Sequence, residues 1–340
     1  MSFYRPDIVK TFKLFHDPGD VVEVRVPRAG KYRVISGYYN DAEAFADAVM
    51  SLEPGRYPGV YFTINKVVPD LLARSANTLT YYAESTTSDK DGIVCRRWLP
   101  IDLDPIRPAS ISSTDTEHAA ALDLAVAIRK DLISKGWHED SFILANSGNG
   151  AHLMVRIDLA NDPTDNLIER CLKALDHNYS NDMVKVDTTL FNASRIMKIY
   201  GTTARKGSDI PDRPHRNGVI LEYPENMKTV SRDQLEALVA ELTPPDLQSL
   251  SRKVSARSRS FDPVAYAEKH GAHVIKTKPW NGGLLAILKT CPFDSSHSGG
   301  EICIGRLESG ARFFKCQHDS CKDKDWRALK ALWEPAAPLT

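Results

Sequence analysis

The sequence carries no excess of charge of either sign and no long apolar run. Its 340 residues include 44 Lys and Arg and 44 Asp and Glu, so the formal net charge is +0 at pH 7. This balance excludes a globally basic surface, and any polyanion must therefore be bound locally. No apolar run approaches the length of a membrane span, and the N-terminus lacks the basic segment and apolar stretch of a secretory signal. A cytoplasmic protein without membrane contact is expected.

Two motifs of nucleic-acid enzymes are also missing. The chain has no G-x-x-x-x-G-K-[ST] sequence, which excludes a P-loop helicase motor of its own. It has no H-x-H pair, which argues against a rolling-circle nickase with a paired-histidine metal site. A replicative helicase that works with this chain would therefore be a separate partner protein.

Cysteine is scarce except near the C-terminus, where four of the six cysteines lie in the last fifty residues. Cys291 and His297 form a C-x5-H pair, and Cys316 and Cys321 form a C-x4-C pair. Two close pairs of soft or borderline ligands in a reducing compartment predict a closed, tetrahedral structural zinc site. Reduced, half-buried thiols without a metal are the alternative.

Two further residues of this cluster need an assignment. His318 is a rival to His297 as the fourth zinc ligand. Cys303 lies in a strand-like segment between the two pairs and is expected to face the core of its strand.

An apolar strand near the middle of the chain ends on two carboxylates. Because side chains alternate along a strand, Asp102 and Asp104 are expected on one face while Leu103 turns into the core. Two like charges held side by side are typical of a divalent cation site. Hard carboxylate oxygens suit Mg²⁺ or Mn²⁺, which complete their coordination with water and substrate phosphates. An edge strand with two solvated acids is the alternative.

A glycine-containing loop follows the acid pair. Ser147, Gly148, Asn149 and His152 lie within six positions and supply backbone N–H groups, a hydroxyl and an imidazole. Glycines let the backbone approach a ligand closely, so the loop is a candidate phosphate cradle. The same letters also occur in ordinary turns.

A third acid, Asp187, ends another predicted strand and precedes two cations. Arg195 and Lys198 could place two positive charges near the acids. A structural salt bridge is the alternative for this pair.

Hydrophobic periodicity predicts a chain of mixed helices and strands. Strands are expected near 21–26, 59–64, 98–104, 142–145, 153–157, 183–187 and 218–223, and helices near 41–52, 114–136, 162–177 and 231–242. A stretch rich in serine and basic residues predicts a linker at 244–262. The expected organisation is therefore a catalytic domain at 1–243, this linker, and a small zinc-binding domain at 263–340.

The motifs occur in an order that resembles the archaeo-eukaryotic primase (AEP) superfamily. The acid pair, the Ser-Gly-Asn-Gly-Ala-His loop, and the acid followed by Ser-Arg-Ile-Met-Lys-Ile-Tyr-Gly-Thr correspond to its three ordered motifs. The resemblance is strongest to the primase domains of phage primase-polymerases and to RepB-like plasmid primases, and it extends to about residue 242. One departure is Tyr200, where related phage sequences often have proline.

The resemblance implies an α+β fold in which an α/β subdomain packs on an RRM-like sheet that bears the acids. It implies a DNA primase or primase-polymerase that synthesises primers on a single-stranded DNA template from NTPs or dNTPs, in phage or plasmid replication within a prokaryotic cytoplasm. By motif, the ligands of two catalytic Mg²⁺ or Mn²⁺ ions are Asp102, Asp104 and Asp187, and the nucleotide contacts are Ser147, Gly148, Asn149, His152, Arg195 and Lys198.

Two other functions stay open at this point. A repair or gap-filling polymerase would use the same site, and a non-catalytic, zinc-containing replication initiator would bind DNA and only sense nucleotide. The C-terminal segment resembles the small zinc modules that often follow primase domains in phage primase-helicases. Its basic residues could contact single-stranded DNA, with Phe313, Phe314 or Trp326 as stacking surfaces, although packing around the zinc site is equally expected of these aromatics.

Overall fold

The computed structural model describes residues 3–27, 33–57, 59–242, 261–280, 283–306, 312–321 and 324–334. Helices and antiparallel sheets both occur within them, so the chain is a mixed α+β structure. It divides into two compact units, Met1–Leu242 and Thr243–Thr340. The predicted linker lies outside the described residues, apart from Phe261 and Asp262. None of the described helices has the length and apolar character needed to span a membrane.

The first unit contains helices on two main sheets. Its helices are α1 (Arg5–Phe15), α2 (Ala42–Met50), α3 (Asp115–Ser134), α4 (Leu167–Tyr179) and α5 (Arg232–Leu242). Its strands are β1 (Val22–Pro27), β2 (Val34–Tyr39), β3 (Tyr61–Thr63), β4 (Lys66–Val67), β5 (Thr80–Tyr81), β6 (Ile93–Pro105), β7 (Phe142–Asn146), β8 (Ala151–Ala160), β9 (Val184–Val186), β10 (Ile196–Lys198), β11 (Thr203–Ala204), β12 (Arg216–Asn217) and β13 (Val219–Glu222).

Strand order places the predicted motifs on two facing sets of strands. One sheet has the order β10-β3-β1-β2-β5, and the other has the order β13-β7-β8-β6-β4 with β9 also paired to β6. The described residues of the unit share one large apolar core that includes Phe62 of the first sheet and Leu99 and Leu153 of the second, all fully buried. Both sheets are therefore held by the same core.

Helix α3 illustrates how local sequence determines an element. Thr114 accepts a hydrogen bond from the Glu117 amide, and the Glu117 side chain accepts one from the Thr114 amide, so the predicted capping box is present. Its predicted apolar face is buried against the sheet and consists of Ala121, Ala125, Ile128 and Leu132. The predicted stop, Gly136, has a φ of +90°, a conformation that favours glycine.

The prediction for the start of α4 was wrong. The helix begins at Leu167, not at Asp162 and Pro163. The Asp162 carboxylate accepts hydrogen bonds from both the amide and the hydroxyl of Thr164 and closes a turn there. Asp165 then accepts a bond from the Leu167 amide, so the chain makes a turn before it becomes helical.

The described residues of the second unit form a four-stranded antiparallel sheet and two short helices. Its described elements are α6 (Pro263–Lys269), β14 (Val274–Trp280), β15 (Gly283–Thr290), β16 (Ser298–Arg306), β17 (Arg312–Cys316) and α7 (Trp326–Trp333), with strand order β14-β15-β16-β17. The core of the unit includes Leu288, Ile302, Ile304, Phe314 and Leu329.

Cys303 does not face this core, contrary to the prediction. It lies between Ile302 and Ile304, both fully buried, so its side chain points to the opposite face of the sheet and is only half-buried. The β-branched neighbours take the core positions. Phe314 is 4% exposed, and the Trp326 ring packs on Phe261. Phe314 and Trp326 therefore belong to the packing, as the alternative interpretation held.

Candidate active site and metal centre

Strand β6 brings the three predicted motifs of the first unit together. Asp102 pairs with His152 across β6 and β8, and Leu103 pairs with Val186 across β6 and β9. Immediately after β9, the Asp187 amide donates a 2.9 Å hydrogen bond to the Asp102 carbonyl. Both acid-bearing strands and the strand that follows the glycine loop are therefore neighbours in one sheet.

Asp102 and Asp104 lie on one face of β6, as side-chain alternation predicts. Leu103 between them is fully buried, whereas the side chains of Asp102 and Asp104 are 21% and 44% exposed. Arg107 lies 3.4 Å from an Asp104 carboxylate oxygen. The acid pair therefore faces a space open to solvent.

The pKa of Asp102 is affected by the two neighbouring acids. Burial raises the pKa of the Asp102 carboxyl well above its usual range, and the negative charges of Asp104 and then Asp187 raise it further. A carboxyl held beside two other acids in this way is the arrangement that a bound cation would stabilise. The donor set, hard oxygens facing solvent, fits Mg²⁺ or Mn²⁺.

Among the described residues, the group of side chains close enough to hold one metal ion is a Cys–His group in the second unit, and the three carboxylates are not part of it. Sites with two divalent ions, about 3.5–4 Å apart, spread their carboxylate ligands over a longer distance.

Asp102 and Asp104 open into a cleft of about 620 Å³ between the two sheets. The six-stranded sheet contributes Asp102, Asp104 and His152, and the five-stranded sheet contributes Tyr61 and Lys198. The other predicted residues that line the cleft are Ser147, Asn149 and Arg195. Gly148 and Asp187 lie outside its lining. The structure thus brings seven of the nine predicted residues of this unit to one cavity.

Two glycines let the loop between β7 and β8 approach its neighbours. Gly148 has a φ of +94°, and a Cβ at Gly150 would lie 2.1 Å from the Leu103 carbonyl oxygen. Any larger residue at Gly150 would push the loop away from the acid-bearing strand.

Most of the loop amides have acceptors within the loop, so it differs from the exposed nest that its sequence suggested. Ser147 N donates to the Gly150 carbonyl, Gly150 N donates to the Ser147 hydroxyl, and Gly148 N donates to the Asn146 side chain. The Asn149 side chain accepts from the Ser113 amide. These bonds fix the loop backbone, and the Ser147 hydroxyl, which accepts one of them and lines the cleft, can still donate its proton.

Four basic residues line the cleft, and two of them were not identified from the sequence. Arg195 and Lys198 were predicted, while Arg205 and Lys206 line the same cleft without having been singled out. The signal was present in the sequence, since this basic pair follows Gly201-Thr202 within the same segment.

The electrostatics of Arg195 and Lys198 suit a bound anion. Burial, and to a smaller extent the charge of Lys206, lowers the pKa of Lys198 to about 8. Burial also lowers the pKa of Arg195, against the charges of Asp187, Asp89 and Asp102. An anion bound in the cleft would offset the desolvation cost of both cations.

A buried tyrosine holds the imidazole of His152. The Tyr200 hydroxyl lies 2.8 Å from His152 Nδ1, and His152 Nε2 lies 3.6 Å from an Asp102 oxygen. Burial lowers the pKa of His152 to about 4, and burial raises the pKa of the Tyr200 hydroxyl, so both groups are neutral. If the hydroxyl donates to Nδ1, the ring proton resides on Nε2, the nitrogen that lies on the side of Asp102. The position that departs from the resembling sequences thus orients the histidine.

In the second unit, four predicted ligands converge. Cys291, His297, Cys316 and Cys321 are all buried, and their ligand atoms lie within 4.8 Å of one another. The measured edges are 3.8 Å between the sulfurs of Cys291 and Cys321, and 3.5 and 3.6 Å from His297 Nδ1 to the sulfurs of Cys321 and Cys316. A tetrahedron with Zn–S bonds of about 2.3 Å and a Zn–N bond of about 2.0–2.1 Å has edges of about 3.8 Å and 3.6 Å.

The surroundings of this group also fit a cation. Burial and the neighbouring Cys291 thiol raise the pKa of Cys321 to about 11, and a bound cation would favour the thiolate instead. His297 Nε2 lies 3.2 Å from the Ser320 hydroxyl and 3.4 Å from an Asp294 oxygen, which are outer partners of the kind that orient a ligating imidazole.

His318 is outside the tetrahedral group. Its ring stacks on His297 with centroids 4.0 Å apart and planes 4° apart, and its Nδ1 lies 3.4 Å from the sulfur of Cys316. The group of four mutually close ligand atoms contains His297 and not His318.

Comparison of the sequence with protein-family models and with curated proteins finds no match. Among solved structures, the crystal structure of primase RepB' is similar at 13% sequence identity with a TM-score of 0.36, over 78% of this chain and 68% of that chain. At this TM-score a shared fold does not follow, and the residues of the cleft and of the Cys–His group carry the functional conclusions.

Proposed function

We propose that the first unit is a template-dependent nucleotidyltransferase of the AEP type, a DNA primase or primase-polymerase. One observation carries this proposal: two acids on one strand face, Asp102 and Asp104, share a cleft with four basic side chains. Acids that can hold divalent ions beside cations that can hold phosphates are what transfer of a nucleoside triphosphate requires. The alternative of two solvated acids on an edge strand does not explain the buried cations opposite them.

In this proposal the protein acts mainly by positioning and by neutralising charge. Asp102, Asp104 and Asp187 would hold two Mg²⁺ or Mn²⁺ ions, which when bound favour deprotonation of the attacking 3′-hydroxyl and departure of pyrophosphate. Lys198, Arg195, Arg205 and Lys206 would then bind the triphosphate. The Ser147 hydroxyl and the Nε2 proton of His152 would donate to its oxygens.

We also propose that the second unit holds one structural zinc ion through Cys291, His297, Cys316 and Cys321. The tetrahedral edge lengths support it, and all four ligands are buried, which leaves no open position for catalysis.

The test of the enzymatic proposal is de novo synthesis on a defined single-stranded DNA template, with Mg²⁺ or Mn²⁺ and labelled rNTPs or dNTPs. The expected result is a ladder that begins with dinucleotides and depends on template and divalent ion. Synthesis confined to annealed primers or gaps would support a repair polymerase instead. Nucleotide binding without any incorporation under either metal would support a non-catalytic initiator and contradict the proposal.

Replacing Tyr200 with phenylalanine tests the orientation of His152. The change keeps the buried ring and removes its hydroxyl, so one buried hydrogen bond worth about 1–2 kcal/mol is lost and the imidazole tautomer is no longer determined. We expect kcat/KM for the nucleotide to fall by about 5- to 30-fold, mainly through KM. The ring ¹⁵N shifts of His152 should show a mixture of tautomers in place of one.

Tyr179→Phe is the matched control for this change. Tyr179 donates to the Asp131 carboxylate away from the cleft, so its loss should leave kcat/KM and the His152 shifts unaltered. Equal loss of activity in both variants, or a Tyr200→Phe protein with unchanged ¹⁵N shifts, would count against a positioning role.

A further inference from the structure

The sheet of the second unit presents one of its faces to solvent. Strand register aligns Ala286, Ile304 and Phe314, which are 0–4% exposed and belong to the core beneath the helices. Because side chains alternate, residues one position along each strand point the other way. Register defines this second side, hereafter the open face, by three rows: Lys276–Ile287–Cys303–Lys315, Lys278–Leu285–Gly305–Phe313, and Trp280–Gly283.

Two aromatic rings lie next to each other on the open face. The ring centroids of Trp280 and Phe313 are 5.2 Å apart with planes at 55°, although their strands are the two edges of the sheet. Gly305 makes this contact possible. A Cβ there would lie 2.3 Å from Phe313 Cζ, so the ring lies over the backbone of β16. Trp280 is 42% exposed, and the pair therefore forms an accessible aromatic surface.

Three exposed lysines surround this pair. Lys276 and Lys278 come from β14 and Lys315 comes from β17, and the three rows contain no acidic residue. Register places Lys315 directly beside Cys303 in the first row and Lys278 beside Leu285 in the second row.

We infer that the open face binds single-stranded nucleic acid, with bases stacked on Trp280 and Phe313 and phosphates beside Lys276, Lys278 and Lys315. Aromatic stacking combined with lysines along a sheet is how proteins bind single strands without reading sequence. A protein partner fits less well, because lysine is depleted from the cores of protein interfaces. Of the stacking residues considered from sequence, only Phe313 lies here, and Trp280 was not among them.

This inference deepens the proposed function, because it assigns part of the template contact to the zinc-bearing unit. The nucleic-acid-binding inference and the proposed enzymatic function are tested separately. Binding is measured with the full-length, zinc-loaded protein in the absence of nucleotides and Mg²⁺ or Mn²⁺, so a failure of catalysis leaves the result untouched.

The experiment is fluorescence anisotropy with labelled oligothymidylate and oligouridylate of about 25 nucleotides, long enough for several contacts. Trp280→Ala should raise Kd by about 5- to 100-fold, the loss of one stacked base, whereas Trp280→Phe should stay close to wild type. Lys276→Ala with Lys278→Ala should lower the slope of log Kd against log salt by about 1.4. Tighter binding of the DNA strand would identify the template as ligand, and equal binding would identify single strands in general.

The matched control is Lys269→Ala with Lys330→Ala, two exposed lysines on α6 and α7. This variant should keep the wild-type salt slope. Zinc content and thermal unfolding of every variant are measured alongside. The inference is overturned if Trp280→Ala and the β14 double variant, both zinc-loaded and folded, bind within twofold of wild type. An equal loss in the helix control, or a stable dimer through this face that oligonucleotide does not dissociate, would also overturn it.

Discussion

Replacement of Asp102 by asparagine should abolish template-dependent incorporation without unfolding the first unit. Asparagine has the same shape but cannot supply the negative charge that a divalent ion requires, and we expect incorporation to fall by at least about 100-fold. Burial and the charges of Asp104 and Asp187 raise the pKa of Asp102, so its ionised form costs stability when no cation is bound. The melting temperature in metal-free buffer should therefore equal or exceed that of wild type.

The divalent ion itself provides the second measurement for this variant. Mg²⁺ or Mn²⁺ should raise the melting temperature of the wild-type first unit, because a ligand that binds only the folded state stabilises it, and should have little effect on Asp102→Asn. Asp158→Asn is the matched control, since Asp158 is an exposed acid on the adjacent strand β8. A normal rate of primer extension by Asp102→Asn, or an equal loss in the control, would refute the assignment of Asp102 as a metal ligand.

Loss of one zinc ligand should remove the metal and unfold the second unit. The structural zinc of a small module contributes about 10–16 kcal/mol, which is comparable to the whole stability of a small domain. We therefore expect wild type to contain one zinc ion per chain and Cys316→Ser to contain almost none. Limited proteolysis should then cleave the chain beyond residue 261 while a fragment close to residues 1–242 persists.

Two control variants distinguish the loss of a zinc ligand from the loss of any thiol or histidine near the site. Cys303→Ser should retain zinc, because Cys303 lies on the open face away from the four ligands. His297→Ala should lose zinc, whereas His318→Ala should retain it. Zinc retained in Cys316→Ser, or lost equally in Cys303→Ser, would contradict the proposed site.

Predictions from the sequence were correct where the pattern lay within a single helix or strand. The capping box at Thr114 and Glu117 and the buried stripe of α3 follow from helical spacing alone. The shared face of Asp102 and Asp104 follows from strand alternation. The start of α4 was missed because Asp162 and Asp165 make short-range side-chain bonds that compete with the helix.

The acid pair, the glycine loop, the basic segment and the two cysteine pairs could be found from the sequence because each consists of neighbouring residues. That these segments share one site could not be predicted from the sequence, because it depends on which strands pair. Strands β8 and β9 both pair with β6, and β10 belongs to the sheet across the cleft. The same holds for Trp280 and Phe313, which are far apart in sequence and whose ring contact requires a particular register. Sequence determined the chemistry that each segment can offer, and only the pairing of strands decided which of these groups share a site, because non-local register is set by the packing of the whole core.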